Sequence, residues 1–248
     1  MIDIHMHLIP GVDDGAADLA MSLGMLLRAK EQGITGIFAT PHSSAFDGAP
    51  ESVRNQFREL QLQAGRMFPD IKIYPGCEVL CDSDDMTGVL LALRSGRYPT
   101  LNGTNYVLTE FSMWVTPKAT LPRVEALVKA GYTPIIAHME RYKYLRGNME
   151  LVDKLRKAGA LVQINAYSLQ EEPDETIKSW ARQLVLSKKV DFLGTDAHRT
   201  YHRPPNAASG LNWLYENLDK ADADAIAFGN AQALLCGPTD GNERMRNG

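Results

Sequence analysis

Short apolar or β-branched runs alternate along this chain with longer stretches in which apolar residues recur every three or four positions. The short runs, at residues 2–5, 36–40, 71–74, 106–111, 133–137, 161–165 and 191–194, read as strands. Between them, Leu19, Leu23, Leu26 and Leu27 keep the spacing of one helix face, as do Leu151, Val152, Leu155 and Ala158, and again Ile177, Trp180, Ala181 and Leu184. Gly33, Gly131 and Gly159 stand where those and neighbouring helices should stop. The pattern predicts seven strand–helix units. It therefore predicts parallel strands covered by helices, either closed into a barrel or opened into a doubly wound sheet. Neither G-x-G-x-x-G nor G-x-x-x-x-G-K-[ST] occurs, so the nucleotide-binding versions of the open sheet are disfavoured and the barrel is the expectation. No linker or repeat divides the chain. We read one domain over residues 1–236, with a polar, Gly-containing tail over 237–248.

Composition narrows the function. The 248 residues are 44% apolar and carry 26 Lys+Arg against 30 Asp+Glu, a net charge of −4. With no basic run, nucleic acid is not expected as a partner. No stretch approaches the ~20 apolar residues of a membrane span, and the start, MIDIHMH, lacks the features of a signal peptide. A cytoplasmic protein without direct membrane insertion is expected. Cys77, Cys81 and Cys236 have neither zinc-ribbon nor disulfide spacing. A thiol phosphatase would need an arginine six positions after its cysteine, where this chain has Ser83, Thr87 and Asn242. The cysteines are read as small core residues.

The histidines are informative. A lone histidine is usually an ordinary surface or core residue, but five of the six here, His5, His7, His42, His138 and His198, end a predicted strand or follow one directly. In parallel α/β folds that end of the sheet carries the chemistry. Asp14, Glu78, Glu110 and Asp196 share the placement. His5 and His7, at i and i+2, project from one face of a strand end, and Asp196 and His198 repeat the spacing. Nine nitrogen and oxygen ligands exceed what one cation accepts. They suggest two or three cations sharing a carboxylate, with Glu78 as the natural bridge, and the absence of thiolate suits manganese, iron or zinc.

Three divalent cations and four carboxylates leave such a site positive, so it should attract an anion. Arg141, in AHMER, and Arg203, in DAHRTYHRPP, lie just beyond two of the ligand motifs and offer forked donors that match phosphate oxygens. The expected chemistry is in-line attack on phosphorus by a cation-activated water, with metals and arginines neutralising the developing charge. His202 reads as an exposed loop residue.

The strings DIHMH, VDDG, ATPH, GCE, LTEF, AHMER, GTDAH and RPP, in this order over nearly the whole chain, resemble the PHP-type (polymerase and histidinol phosphatase) protein-tyrosine phosphatases of bacterial capsule and exopolysaccharide loci. The resemblance implies a distorted, seven-stranded TIM-like barrel and a three-metal centre, typically of manganese. It also implies, as substrate, the phosphotyrosine tail of a cognate tyrosine kinase that acts as polysaccharide co-polymerase. On the same ground a first metal would take His5, His7, Glu78 and Asp196, a second Glu78, Glu110 and His138, and a third Asp14, His42 and His198. Arg141 and Arg203 would hold the phosphate. Met6, Met139 and Ser43 depart from the family pattern at positions that are not ligands. Trp114, after Glu110, offers a surface for stacking a phenyl ring or packing a lid. A homo-oligomer stays open. The competing readings are a small-molecule phosphatase of the histidinol-phosphate type, a metal-dependent amidohydrolase without its usual bridging lysine, and a non-catalytic assembly factor that senses phosphate.

Overall fold

The structure, a computed structural model, describes residues 1–113 and 115–235, so Trp114, Cys236 and the 237–248 tail lie outside the described residues. In chain order the elements are β1 Ile2–Met6, α1 Leu19–Glu31, β2 Gly36–Ala39, α2 Ala45–Gly48, α3 Pro50–Met67, β3 Lys72–Pro75, β4 Glu78–Leu80 and α4 Thr87–Arg94. They continue as β5 Tyr106–Glu110, α5 Pro117–Lys129, β6 Thr133–Ile136, α6 Met149–Lys157, β7 Leu161–Asn165, α7 Glu175–Leu186, β8 Phe192–Gly194 and α8 Ala208–Asn217. Every strand pairing is parallel. This is an α/β fold of the TIM-like type, with helices between successive strands except β3 and β4.

The barrel wall departs from a simple seven-stranded ring, first at its third strand. The third strand is broken: β3 pairs with β2, the chain bends at Gly76 and Cys77, and β4 pairs instead with β5. The bend is sterically tight, because a Cβ on Gly76 would come within 2.8 Å of the Leu101 side chain and 2.9 Å of Thr40. Two sheets result, ordered β1-β2-β3 and β4-β5-β6-β7-β8. They meet at two isolated bridges, Met6 with Ala197 and His42 with Glu78. At the first seam Asp196 N–H donates to His5 O (2.8 Å) and His7 N–H to Ala197 O (2.9 Å). At the second, Glu78 N–H donates to Pro41 O (3.0 Å) and Ser43 N–H to Glu78 O (2.9 Å). Both seams thus run through the histidine motifs, and β4, the element absent from the sequence reading, brings Glu78 to the second of them.

Local signals set the helices. The Asp18 side chain caps α1 by accepting from Met21 N–H at 2.8 Å. Gly33, Gly131 and Gly159 adopt φ of +77°, +92° and +105°, the left-handed conformation that ends a helix and that glycine takes without a steric penalty. On α1 the expected face needs correcting. Leu27 is 50% exposed, whereas Ser22, Met25, Leu26 and Ala29 are buried. The buried stripe is centred one position earlier because the Ser22 hydroxyl can turn inward and donate to Leu8 O at 2.8 Å.

Candidate metal centre

Period-two alternation on β1 puts Asp3 and His5, with His7 just beyond the strand, on the face opposite Ile4 and Met6. Asp3 staples β1 to β8 by accepting from His5 N–H, Thr195 N–H and the Thr195 hydroxyl. The His5 and His7 Nε2 atoms face each other at 3.3 Å. Glu78 lies between the histidines: Oε1 is 3.0 Å from His138 Nε2 and 3.3 Å from His5 Nε2, and Oε2 is 2.9 Å from His42 Nδ1 and 3.4 Å from His7 Nε2. Asp196 Oδ1 is 3.6 Å from both His5 and His7 Nε2. Asp14 Oδ1 lies 3.3 Å from His42 Nε2 and 3.4 Å from His198 Nε2, and Glu110 Oε1 lies 3.6 Å from His138 Nε2.

All nine residues singled out from the sequence therefore come together. They form four overlapping groups, His7–Asp14–His42–His198, His5–His7–Asp196, His5–Glu78–His138 and His42–Glu78–Glu110, each with ligand atoms within 4.8 Å of one another. The donor set fits hard or borderline divalent cations, with imidazole and carboxylate and no thiolate. Hydrogen bonding supports the fit. Asp13 Oδ2 already accepts from His42 N–H (3.0 Å) and lies 2.8 Å from His7 Nδ1, so that nitrogen donates to the carboxylate and Nε2 is the atom turned to the cluster. Glu78 Oε2, fully buried, has no hydrogen bond despite the two ring nitrogens beside it. Atoms that crowd without aligning as donor and acceptor are placed to share a cation.

The charges are strongly coupled to this packing. Burial works against a proton on His7, but the Asp13 and Glu78 carboxylates together outweigh it and raise the ring's pKa to about 10, while Asp13 falls to about 2. Burial and the neighbouring Glu78 charge push Glu110 up to about 7. Burial also disfavours the Asp196 charge, yet His5, His138 and Arg203 hold its carboxyl well below the usual range. Arg141 and Arg203 both reach Asp196 Oδ2, Arg141 at 2.9 Å, and Arg203 Nη1 also lies 3.0 Å from His198 Nε2. Phosphate bound by these guanidiniums would compete with Asp196 for the same donors. His138, Asp196 and Arg203 have φ of +34°, +53° and +53°, which is uncommon backbone for residues with a Cβ and coincides with the motif positions. His202 is exposed.

Three residues of the site escaped the sequence reading. Asp13 stands beside Asp14 in VDDG, and Gln163 and Asn165 are fully buried amides on β7. The available signal was LVQIN, where two polar residues at i and i+2 interrupt an otherwise apolar strand. Cys77 and Cys81, by contrast, belong to none of the four groups. Burial, followed by the nearby Glu78 charge, pushes the Cys77 thiol well up, and burial pushes Cys81 to about 12. Incubating the protein with iodoacetamide at neutral pH is expected to leave Cys77 and Cys81 unmodified and turnover unchanged, since neither of these two thiols is exposed or ionised. Loss of turnover in step with modification of either residue would contradict this.

Fold and cluster together define a class: a distorted α/β barrel with imidazole and carboxylate ligands gathered at the C-terminal ends of its strands. The profile of the capsular polysaccharide synthesis family CpsB/CapC matches residues 1–236, and the chain belongs to that family. The tyrosine-protein phosphatase CpsB of Streptococcus agalactiae serotype V is 30% identical over 242 residues, spanning 95% of this chain and 98% of its own. The tyrosine-protein phosphatase YwqE of Bacillus subtilis is 33% identical over 237 residues, spanning 95% and 91%. A solved structure from the work on YwqE of B. subtilis and CpsB of Streptococcus pneumoniae, described as metal-dependent tyrosine phosphatases, is 31% identical, with a TM-score of 0.86 over 96% of each chain.

Proposed function

We propose that this protein is a metal-dependent protein-tyrosine phosphatase that acts on the phosphotyrosine tail of a cognate bacterial tyrosine kinase and so regulates capsule or exopolysaccharide synthesis. The observation that carries the reading is the convergence of nine imidazole and carboxylate side chains from six strands and their loops on one cluster. In this reading Arg141 and Arg203 bind the phosphate, residues 1–236 form one catalytic domain, manganese is the working metal in a three-metal centre, and the protein acts in the cytoplasm. Among the described residues no helix is long and apolar enough to cross a membrane.

When bound, divalent cations supply an activated water and neutralise charge on the phosphoryl group. The rest falls to the chain. The first group would be His5, His7, Glu78 and Asp196, the second Glu78, Glu110 and His138, and the third Asp14, His42 and His198. Asp13 holds the His7 ring with Nε2 turned inward. Arg141 and Arg203 present guanidinium N–H groups beside the cluster, where phosphoryl oxygens would accept them, and hold the phosphate in line. No side chain forms a covalent bond to phosphorus.

The test is phosphate release from a phosphotyrosine peptide, a phosphoserine peptide and histidinol phosphate, with Mn2+ and then with EDTA. Release from the phosphotyrosine peptide that stops with chelator and returns with Mn2+ is expected. Preference for histidinol phosphate would replace the protein substrate with a small molecule. No release from any of the three would favour the phosphate-sensing assembly factor.

A further inference from the structure

Among the described strands of the larger sheet, β7 contributes none of the nine cluster residues, although its neighbours β6 and β8 lead directly into His138 and into Asp196 and His198. It contributes instead two amides, Gln163 and Asn165, each with no exposed surface. Amides buried this way are costly unless their polar atoms are bonded, and here the bonds run to the cluster.

The orientation of the Gln163 amide follows from a backbone group. His138 N–H, which can only donate, lies 2.8 Å from one terminal atom of Gln163, so that atom is the oxygen. The same oxygen lies 3.3 Å from His5 Nδ1. His5 must therefore carry its proton on Nδ1, and its Nε2 lone pair faces Glu78, His7 and Asp196. The other end of the amide donates to Asn165 Oδ1 at 3.0 Å, which turns Asn165 Nδ2 toward Asp196 Oδ2 at 3.3 Å. Three cluster residues from three elements are thus bonded to one pair of amides. Two further observations show that the arrangement is built. His138, at φ +34°, holds an uncommon backbone conformation whose N–H is the one Gln163 accepts. A Cβ on Gly194 would stand 2.9 Å from Gln163 Nε2 and 2.7 Å from His5 Cβ, so only glycine on β8 leaves space for the amide and the ring together.

We propose that Gln163 is a positioning residue for the metal centre: through its amide oxygen it selects Nε2 of His5 as the ligating atom and pins the His138 backbone, and through Asn165 it holds Asp196. This rests on the metal-centre reading above. It assigns the choice of ring nitrogen, which a ligand motif leaves open, to a residue that touches neither metal nor substrate.

The experiment uses the full-length protein stripped with chelator, comparing wild type, Gln163→Met and Gln163→Glu. Methionine keeps the length without the bonds. Glutamate keeps the acceptor for both His5 and His138, but adds a negative charge and replaces the donor to Asn165 with an acceptor. Nitrogen-15 NMR of the imidazoles, at a pH above the ring's titration, reports which His5 nitrogen bears hydrogen. Calorimetry with Mn2+ reports affinity, and circular dichroism reports the fold. Wild type should show His5 protonated on Nδ1, Gln163→Met should populate the other tautomer and bind Mn2+ about 10- to 100-fold more weakly, and Gln163→Glu should keep the wild-type tautomer. Wild-type affinity and tautomer in Gln163→Met would overturn the proposal, as would loss of the wild-type His5 tautomer in Gln163→Glu. The wild-type spectrum decides by itself if the methionine variant does not fold: hydrogen on Nε2 of His5 refutes the assignment. If wild type takes up no Mn2+, the metal reading fails, while the spectra still test the role of Gln163 in orienting His5.

Discussion

Glu78→Gln is expected to lower kcat on a phosphotyrosine peptide by about a thousandfold or more, equivalent to about 4 kcal/mol of transition-state stabilisation, and to deplete the metal retained after desalting. Glu78 is 1% exposed, and each of its oxygens is close to two histidine nitrogens, from 2.9 to 3.4 Å. Burial opposes its ionisation, but the His5 charge and the bond from His138 outweigh burial and hold the carboxyl well below its ordinary range. The substitution preserves shape, removes a negative charge and turns an NH2 donor toward nitrogens that must stay bare to bind metal. Because Glu78 also opens β4 and bridges to His42, its backbone bonds at the seam are retained and the fold should survive. The measurements are steady-state kinetics and metal content of the same preparation. A variant with wild-type metal and wild-type kcat would remove Glu78 from the centre.

Arg203→Ala should act differently, raising KM for the phosphopeptide and Ki for inorganic phosphate by about 10- to 100-fold, the worth of a charge-assisted hydrogen bond of about 1.5–3 kcal/mol. Arg203 bonds Asp196 and, at 3.0 Å, His198 Nε2. Burial, then the His7 and Arg203 charges, lowers the His198 pKa to about 3. Removing the arginine removes one lowering influence, so this pKa moves up. A proton then competes with metal for His198 over a higher pH range, and the activity of the variant should fall off earlier than wild type as pH decreases. The check is a pH profile of kcat/KM for both proteins at saturating Mn2+. An unchanged KM with unchanged Ki for phosphate would show that Arg203 serves Asp196 and His198 alone.

The two substitutions probe parts of the site that differ in how they can be read. Glu78 was legible because GCE follows an apolar run, and Arg203 because it trails a histidine motif. Asp13 and Gln163 were not. Which of two adjacent aspartates in VDDG turns to His7 depends on how the loop after β1 folds, and the structure turns Asp13 inward while Asp14 stays 64% exposed at the rim. Gln163 reads as a blemish in a buried strand until β1, β6 and β8 are seen around it.

By itself the sequence determined the alternation of strand and helix, the glycine helix ends, the nine residues that gather at one end of the sheet and the family resemblance, because each depends on period or spacing over a few neighbours. Only the tertiary structure decided where the third strand breaks, that both seams between the sheets pass through the histidine motifs, that Ser22 and not Leu27 faces the core, and which amides and carboxylates orient the histidine rings. Those features depend on the backbone N–H or side chain that arrives from a distant part of the chain, and hydrogen-bond partners more than a hundred residues apart, such as His5 and Gln163, leave no local pattern.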